Sequence, residues 1–210
     1  MYSFRQATSA DVASIAGIAH GFFGSGYWHD GIVGRREYLA GLHAGNSATF
    51  SVLLHDEEIV GYSSVVACLP TIGWSHFTGG FCQYDYRPEL MFNDGDAMEF
   101  TEDERIKGYD LHGLPIYAQA LAVSEGHRKL PEAKKLRDEM LISNIVRVLS
   151  RYQGKDYMLF GEEFSDNGRK YMMDRGFTKG PHLSKLNHQI YALCRFPGSD
   201  FTKRIDELRE

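Results

Sequence analysis

Cysteine is scarce in this chain of 210 residues: Cys68, Cys82 and Cys194 lie far apart and form no C-x-x-C pair. That argues against a disulfide scaffold and a thiolate metal site, and fits a reducing cytoplasm. Long apolar runs are missing too. No stretch approaches the ~20 residues a bilayer-crossing helix needs, and the opening MYSFRQATSAD lacks the apolar centre of a signal peptide. A soluble, unexported protein with no membrane partner is expected. Positive charge is in deficit, with 23 Lys and Arg against 28 Asp and Glu for a net −5. The chain as a whole therefore lacks the electrostatic footprint of sequence-blind nucleic-acid binding. The nine histidines include no H-E-x-x-H and no H-x-H pair, so no catalytic metal is expected.

What is present reads as an ordinary globular core, 43% apolar and 13% aromatic. A chain of this length can bury roughly 70% of its unfolded surface in one domain. Residues 2–7 alternate as a strand does, and Thr8 stands three residues before Asp11 as a capping box for a helix carrying Val12, Ile15, Ala19 and Phe22. The glycine-dense GFFGSGYWHDGIVG predicts a loop, and RREYLAGLHA a short second helix. Two β-rich runs joined around Asp56, Glu57 and Glu58 predict a hairpin. From Pro70 to Leu114 the periodicity fails, and between Asp85 and Glu104 eight acidic residues face one basic residue, Arg87. A functional insert in a single domain spanning 1–210 is expected there. Its aromatics offer a partner surface, for example to a second copy of the chain.

Residues 116–123 predict a buried strand, followed by a helix from about Glu132 with Leu136, Met140, Leu141, Ile145, Val148, Leu149 and Tyr152 on one broad stripe. DYMLFGEE predicts a strand, SDNGRKYMMDR a helix closed by Gly176, HQIYALCRF a last strand, and TKRIDELRE a solvated helical end. These alternations give an α+β fold with a mixed, mainly antiparallel sheet flanked by helices.

One segment stands out. The apolar strand ending at Val123 runs through the basic stretch His127, Arg128 and Lys129 into a helix that begins at a proline. Arg128, Pro131 and Ala133 fall at the Q/R, first G and G/A places of the loop Q/R-x-x-G-x-G/A, at fixed spacing from that valine, and a late helix ends in Gly176 and Phe177. With the element order, these residues resemble the GNAT acetyltransferase superfamily over most of the chain outside 70–114. The resemblance implies a coenzyme A thioester, acetyl-CoA or another acyl-CoA, held by Leu121, Ala122, Val123, Arg128, Lys129, Leu130, Pro131 and Ala133. A helix N-terminus with successive free amides suits a pyrophosphate. Pro131 departs from the motif and removes one N–H, so Arg128, Lys129 and His127 must make up the charge.

The implied reaction is attack of an amine, from a small molecule or a protein, on the acyl thioester. A lysine-like amine has a pKa near 10.4, so a base is the pressing requirement, while a thiol near 8.5 leaves more easily. Carboxylates at strand ends supply the base candidates: Glu162 beside Glu163, and Glu125. Such strand ends flank the place where this family opens its sheet. The family's acid is often a tyrosine five residues before the phenylalanine of GF. Met172 stands there, leaving Tyr171 one position earlier, and Ser165 stands where many members carry asparagine. Tyr117 and Gln119 either bound the acyl site or pack. Two further readings stay open: a non-catalytic binding protein of this fold, and a donor with a longer acyl chain or an acyl carrier protein.

Overall fold

The computed structural model describes residues 1–24, 31–67, 69–80, 114–150, 156–184, 186–194 and 199–209. In chain order the elements are β1 (Tyr2–Gln6), α1 (Val12–Phe23), α2 (Gly31–Gly45), β2 (Phe50–His55), β3 (Glu58–Ala67) and α3 (Pro70–Phe77). Then follow β4 (Leu114–Val123), α4 (Pro131–Leu149), β5 (Tyr157–Glu162), α5 (Asp166–Met173), β6 (Thr178–Leu183), β7 (Gln189–Cys194) and α6 (Asp200–Glu207). The strands form one sheet in the order β1-β2-β3-β4-β5-β7-β6. Every neighbouring pair is antiparallel except β4 and β5, joined through the crossover helix α4.

Local chemistry explains the outer elements. Asp11 accepts from the Thr8 backbone N–H (2.7 Å) and hydroxyl (2.9 Å), which fixes the entry to α1. The Arg5 guanidinium grips the same carboxylate at 2.6 and 2.9 Å. The β2–β3 hairpin turns on Asp56 and Glu57, with φ of 49° and 72°, the left-handed pair that matches the twist of a two-residue hairpin.

The sheet is covered on both faces. Ile15 and Ala19 of α1 and Leu39 and Leu42 of α2 join Val52, Tyr62, Tyr117 and Phe160 in one core. Leu141, Ile145 and Val148 of α4 and Phe201 and Ile205 of α6 join Val65, Ile116, Leu159 and Leu193 in the other. Burying rows of large side chains on both faces supplies most of the favourable folding term. A third, smaller core at the β4–α4 corner packs Val123 against Ala133 and Met140.

Four sequence expectations change. TKRIDELRE, read as a solvated helical end, belongs to α6, which buries Thr202 and Ile205 against the sheet. Pro70–Phe77, read as irregular, is the helix α3, and residues 81–113 of the expected insert lie outside the described residues. The glycine-dense segment read as one loop contributes Phe22 and Phe23 to α1 and Gly31 onward to α2, with 25–30 outside the described residues. TKGPHL, not anticipated as a strand, pairs with β7 as the edge strand β6, a position that tolerates its glycine and proline. Tyr152 also lies outside the described residues.

Candidate active site

β4 and β5 pair from Leu114 with Tyr157 as far as Tyr117 with Phe160, and there the ladder stops. β4 continues to Val123 along β3, past a bulge at Gln119 where Ser64 faces Ala120 and Val65 faces Ala118. β5 continues to Glu162 along β7. Ser124 N–H donates to Val60 O at 2.8 Å. Bonding alternates along an antiparallel pair, so the N–H and C=O of Val123, and of Leu121 before it, face away from β3. On that side β5 has already parted from β4. The opening is therefore edged by main-chain donors and acceptors of Leu121 and Val123, while Ala122 is buried in the core beneath α1 and α2.

The loop after Val123 is wound tightly. Ser124 O accepts from His127 and Arg128 N–H, each at 3.0 Å, and His127 O accepts from Leu130 N–H at 3.0 Å. The N–H groups of Lys129, Glu132 and Ala133 have no hydrogen-bond partner among the described residues, and Pro131 has none to offer. These amides lie at the positive end of the 19-residue α4. Lys129 and Leu130 are exposed, and Arg128, also exposed, bonds Glu125 at 2.8 Å. Ala133 is buried against Val123, which explains a small residue at that place. His127 Nδ1 meets the Tyr2 hydroxyl at 2.6 Å and ties the loop to β1.

Across the opening, at the end of β5, Glu162 lies in a polar cluster inside the α1-side core. Its side chain has 0% exposure, and Oε1 accepts from His76 Nε2 at 2.5 Å. Tyr117 OH donates to the same oxygen at 3.3 Å, and His188 Nδ1 lies 3.2 Å from Oε2. Burial pushes the Glu162 carboxyl up, but hydrogen bonds from His76 and Ser184 and the nearby charge of His76 and His188 outweigh it. The net shift is downward, so the group is an ionised, buried carboxylate. The partners come from three places: His76 from α3, Tyr117 from β4, and Ser184 and His188 from the β6–β7 turn. That turn is built on Ser184, whose Oγ accepts from the N–H of Leu186 and His188 at 3.3 Å. Gly79 closes α3 against it with φ +88°, and a Cβ there would meet Leu183 O at 2.4 Å.

The other expected site residues fall elsewhere. Tyr171 donates to Asp138 on α4 at 2.9 Å, and its ring lies 3.4 Å from the Arg175 guanidinium and 4.6 Å from that of Arg137. Burial, aided by Asp138, pushes its phenol well above the usual range. It packs with Met172 on the α4 side of the sheet, opposite the Glu162 cluster. Ser165 caps α5, accepting from Gly168 N–H at 3.1 Å. Glu163 accepts from Tyr191 OH at 3.1 Å and Arg169 at 3.3 Å. The Glu125 side chain is 86% exposed. Gln119 bridges Ser64 (2.7 Å) and Tyr38 (3.0 Å). Sequence reasoning missed His76, His188 and Ser184: His76 meets Glu162 across 86 residues of chain, a distance no local pattern spans.

This mixed, mainly antiparallel sheet flanked by helices has the GNAT-like fold of solved acetyltransferase structures. The chain is similar to the loading GNATL domain of CurA from Lyngbya majuscula, with 10% identity over 92% of this chain and 98% of that one, at a TM-score of 0.58. It is similar also to Ard1 from Thermoplasma volcanium, at 15% identity, 91% and 94% coverage and a TM-score of 0.52. A third is the PaiA N-acetyltransferase from Thermoplasma acidophilum in complex with coenzyme A, at 9% identity, 91% and 98% coverage and a TM-score of 0.51. No protein-family model and no curated protein matches the sequence. Among the described residues no helix is long and apolar enough to cross a membrane, and no cluster of His, Cys, Asp and Glu could hold a metal ion.

Proposed function

We propose that the protein is an acyl-CoA-dependent N-acyltransferase that joins an amine to an acyl group by direct attack within a ternary complex. The observation that carries this reading is the opening between β4 and β5, with main-chain groups of Leu121 and Val123 turned away from β3 on one edge and an ionised carboxylate cluster on the other. Coenzyme A, when bound, supplies the activated thioester. Lys129, Glu132 and Ala133 would offer amides to its pyrophosphate, with Arg128 and Lys129 adding charge. The Val123 N–H would polarise the thioester carbonyl and stabilise the oxygen as it gains charge. The cluster around Glu162 would take up the amine proton, and holding both reactants in one cleft supplies the remainder of the acceleration. The acidic sequence between Asp85 and Glu104 would favour cationic acceptors.

Incubation with acetyl-CoA and a panel of primary amines, read by mass spectrometry, tests the reaction. An amine gaining one acetyl group supports the reading. Bound coenzyme A without any acylated product across the panel contradicts it. Pro131 favours a second reading, in which the donor is a longer acyl-CoA or an acyl carrier protein, since docking by protein contacts depends less on a full set of amides.

A further inference from the structure

We infer that His188 is the group that takes the amine proton, and that Glu162 acts through it as a positioning residue held by His76. This deepens the acyltransferase reading and rests on it. Glu162 itself is badly placed to exchange protons with an acceptor. Its side chain is fully buried, Oε1 is already engaged by His76 and Tyr117, and Ser184 also bonds the carboxylate. His76 and Tyr117 are buried as well. His188 is the member of this set of ionisable groups that reaches the surface, with 24% of its side chain exposed.

The tautomer follows from the chemistry of the contact. An ionised carboxylate can only accept, so the 3.2 Å approach of His188 Nδ1 to Oε2 requires the proton on Nδ1. Nε2 is left with its lone pair. The ring is held by three further features. Its backbone N–H donates to Ser184 Oγ, its carbonyl accepts from Ser184 N–H at 2.8 Å, and its edge meets the Phe164 ring at a centroid distance of 4.5 Å. The ionisable groups facing His188 and its partner are Glu162 from β5, His76 from α3 and Tyr117 from β4.

The step balances as follows. An ammonium acceptor passes one proton to Nε2, and the adjacent Glu162 carboxylate stabilises the resulting imidazolium. The freed amine forms a C–N bond to the thioester carbon. As the C–S bond breaks, the second nitrogen-bound proton goes to the departing thiolate, and His188 later releases its proton to solvent. The products are an amide, a thiol and one proton.

Two measurements judge this. With the amine and donor that the wild type turns over, His188→Ala lowers kcat/KM roughly 10²-fold or more. Acetyl-CoA affinity is unchanged, and added imidazole restores part of the rate. Full activity in His188→Ala overturns the assignment. The second measurement needs no turnover. ¹⁵N spectra of the wild type should show neutral His188 protonated on Nδ1, and Glu162→Gln should loosen that preference. A wild-type proton on Nε2 overturns the dyad, whereas a correct tautomer without turnover of any amine sinks the acyltransferase reading instead.

Discussion

Glu162 carries an ionised carboxylate with no exposed side-chain surface, so its stability depends on its donors. His76 is the nearest of them, at 2.5 Å. Replacing it with alanine strips the closest partner from a buried charge, a change that costs about 3–5 kcal/mol. The expected outcome for His76→Ala is a large drop in the urea midpoint at pH 7. The sign of the pH dependence follows from the lowered pKa. The carboxyl titrates lower in the folded protein than in the unfolded chain, so its contribution is complete above about pH 4.3 and fades as pH falls through the lowered folded value. The gap between wild type and His76→Ala should therefore shrink on acidification below that point. A gap that stays constant down to pH 3 would contradict the buried-carboxylate description. None of this was legible in the sequence beyond Glu162 itself, because His76 sits in a stretch with no periodic pattern and His188 stands in the turn before β7, far in the chain from both Glu162 and His76. Their meeting is made by the sheet order.

Among the elements, α4 sets the terms for an anionic ligand. Its first residue is proline, the N–H groups of Lys129, Glu132 and Ala133 have no partner among the described residues, and its capping residue Leu130 supplies no side-chain acceptor that would compete. Pro131→Ala restores one N–H at the helix start. With a charge-assisted bond worth about 1.5 kcal/mol or more, acetyl-CoA should bind roughly tenfold tighter. Titration calorimetry of the variant against the wild type checks this, and an unchanged affinity would place the pyrophosphate elsewhere. The start of α4 was readable from Pro131 and Glu132, and its buried stripe through Met140, Leu141, Ile145, Val148 and Leu149 follows the helical period. The hairpin was readable from its acidic turn, and the entry to α1 from Thr8 and Asp11. By contrast α3 and β6 were not. Pro70–Phe77 is a helix of eight residues with only a faint amphipathic pattern, and β6 is an edge strand whose composition reads as a turn.

At the scale of the molecule, the mixed sheet was legible because two long β-rich runs, a buried strand before a crossover helix and a late strand leave few other arrangements. The point where β4 and β5 part was not. It depends on the bulge at Gln119 and on the β4–β5 ladder ending at Phe160 while β5 stays paired with β7 to Glu162, both properties of the assembled sheet. That parting creates the candidate site. It frees the main chain of Leu121 and Val123, brings Glu162 to the far edge, and lies beside the N-terminus of α4. The central claim is that this opening receives an acyl thioester of coenzyme A. Titrating acetyl-CoA into the wild-type protein by calorimetry tests it most directly. The account predicts saturable binding to one site per chain, weakened in Arg128→Ala; no heat of binding up to millimolar acetyl-CoA would contradict it.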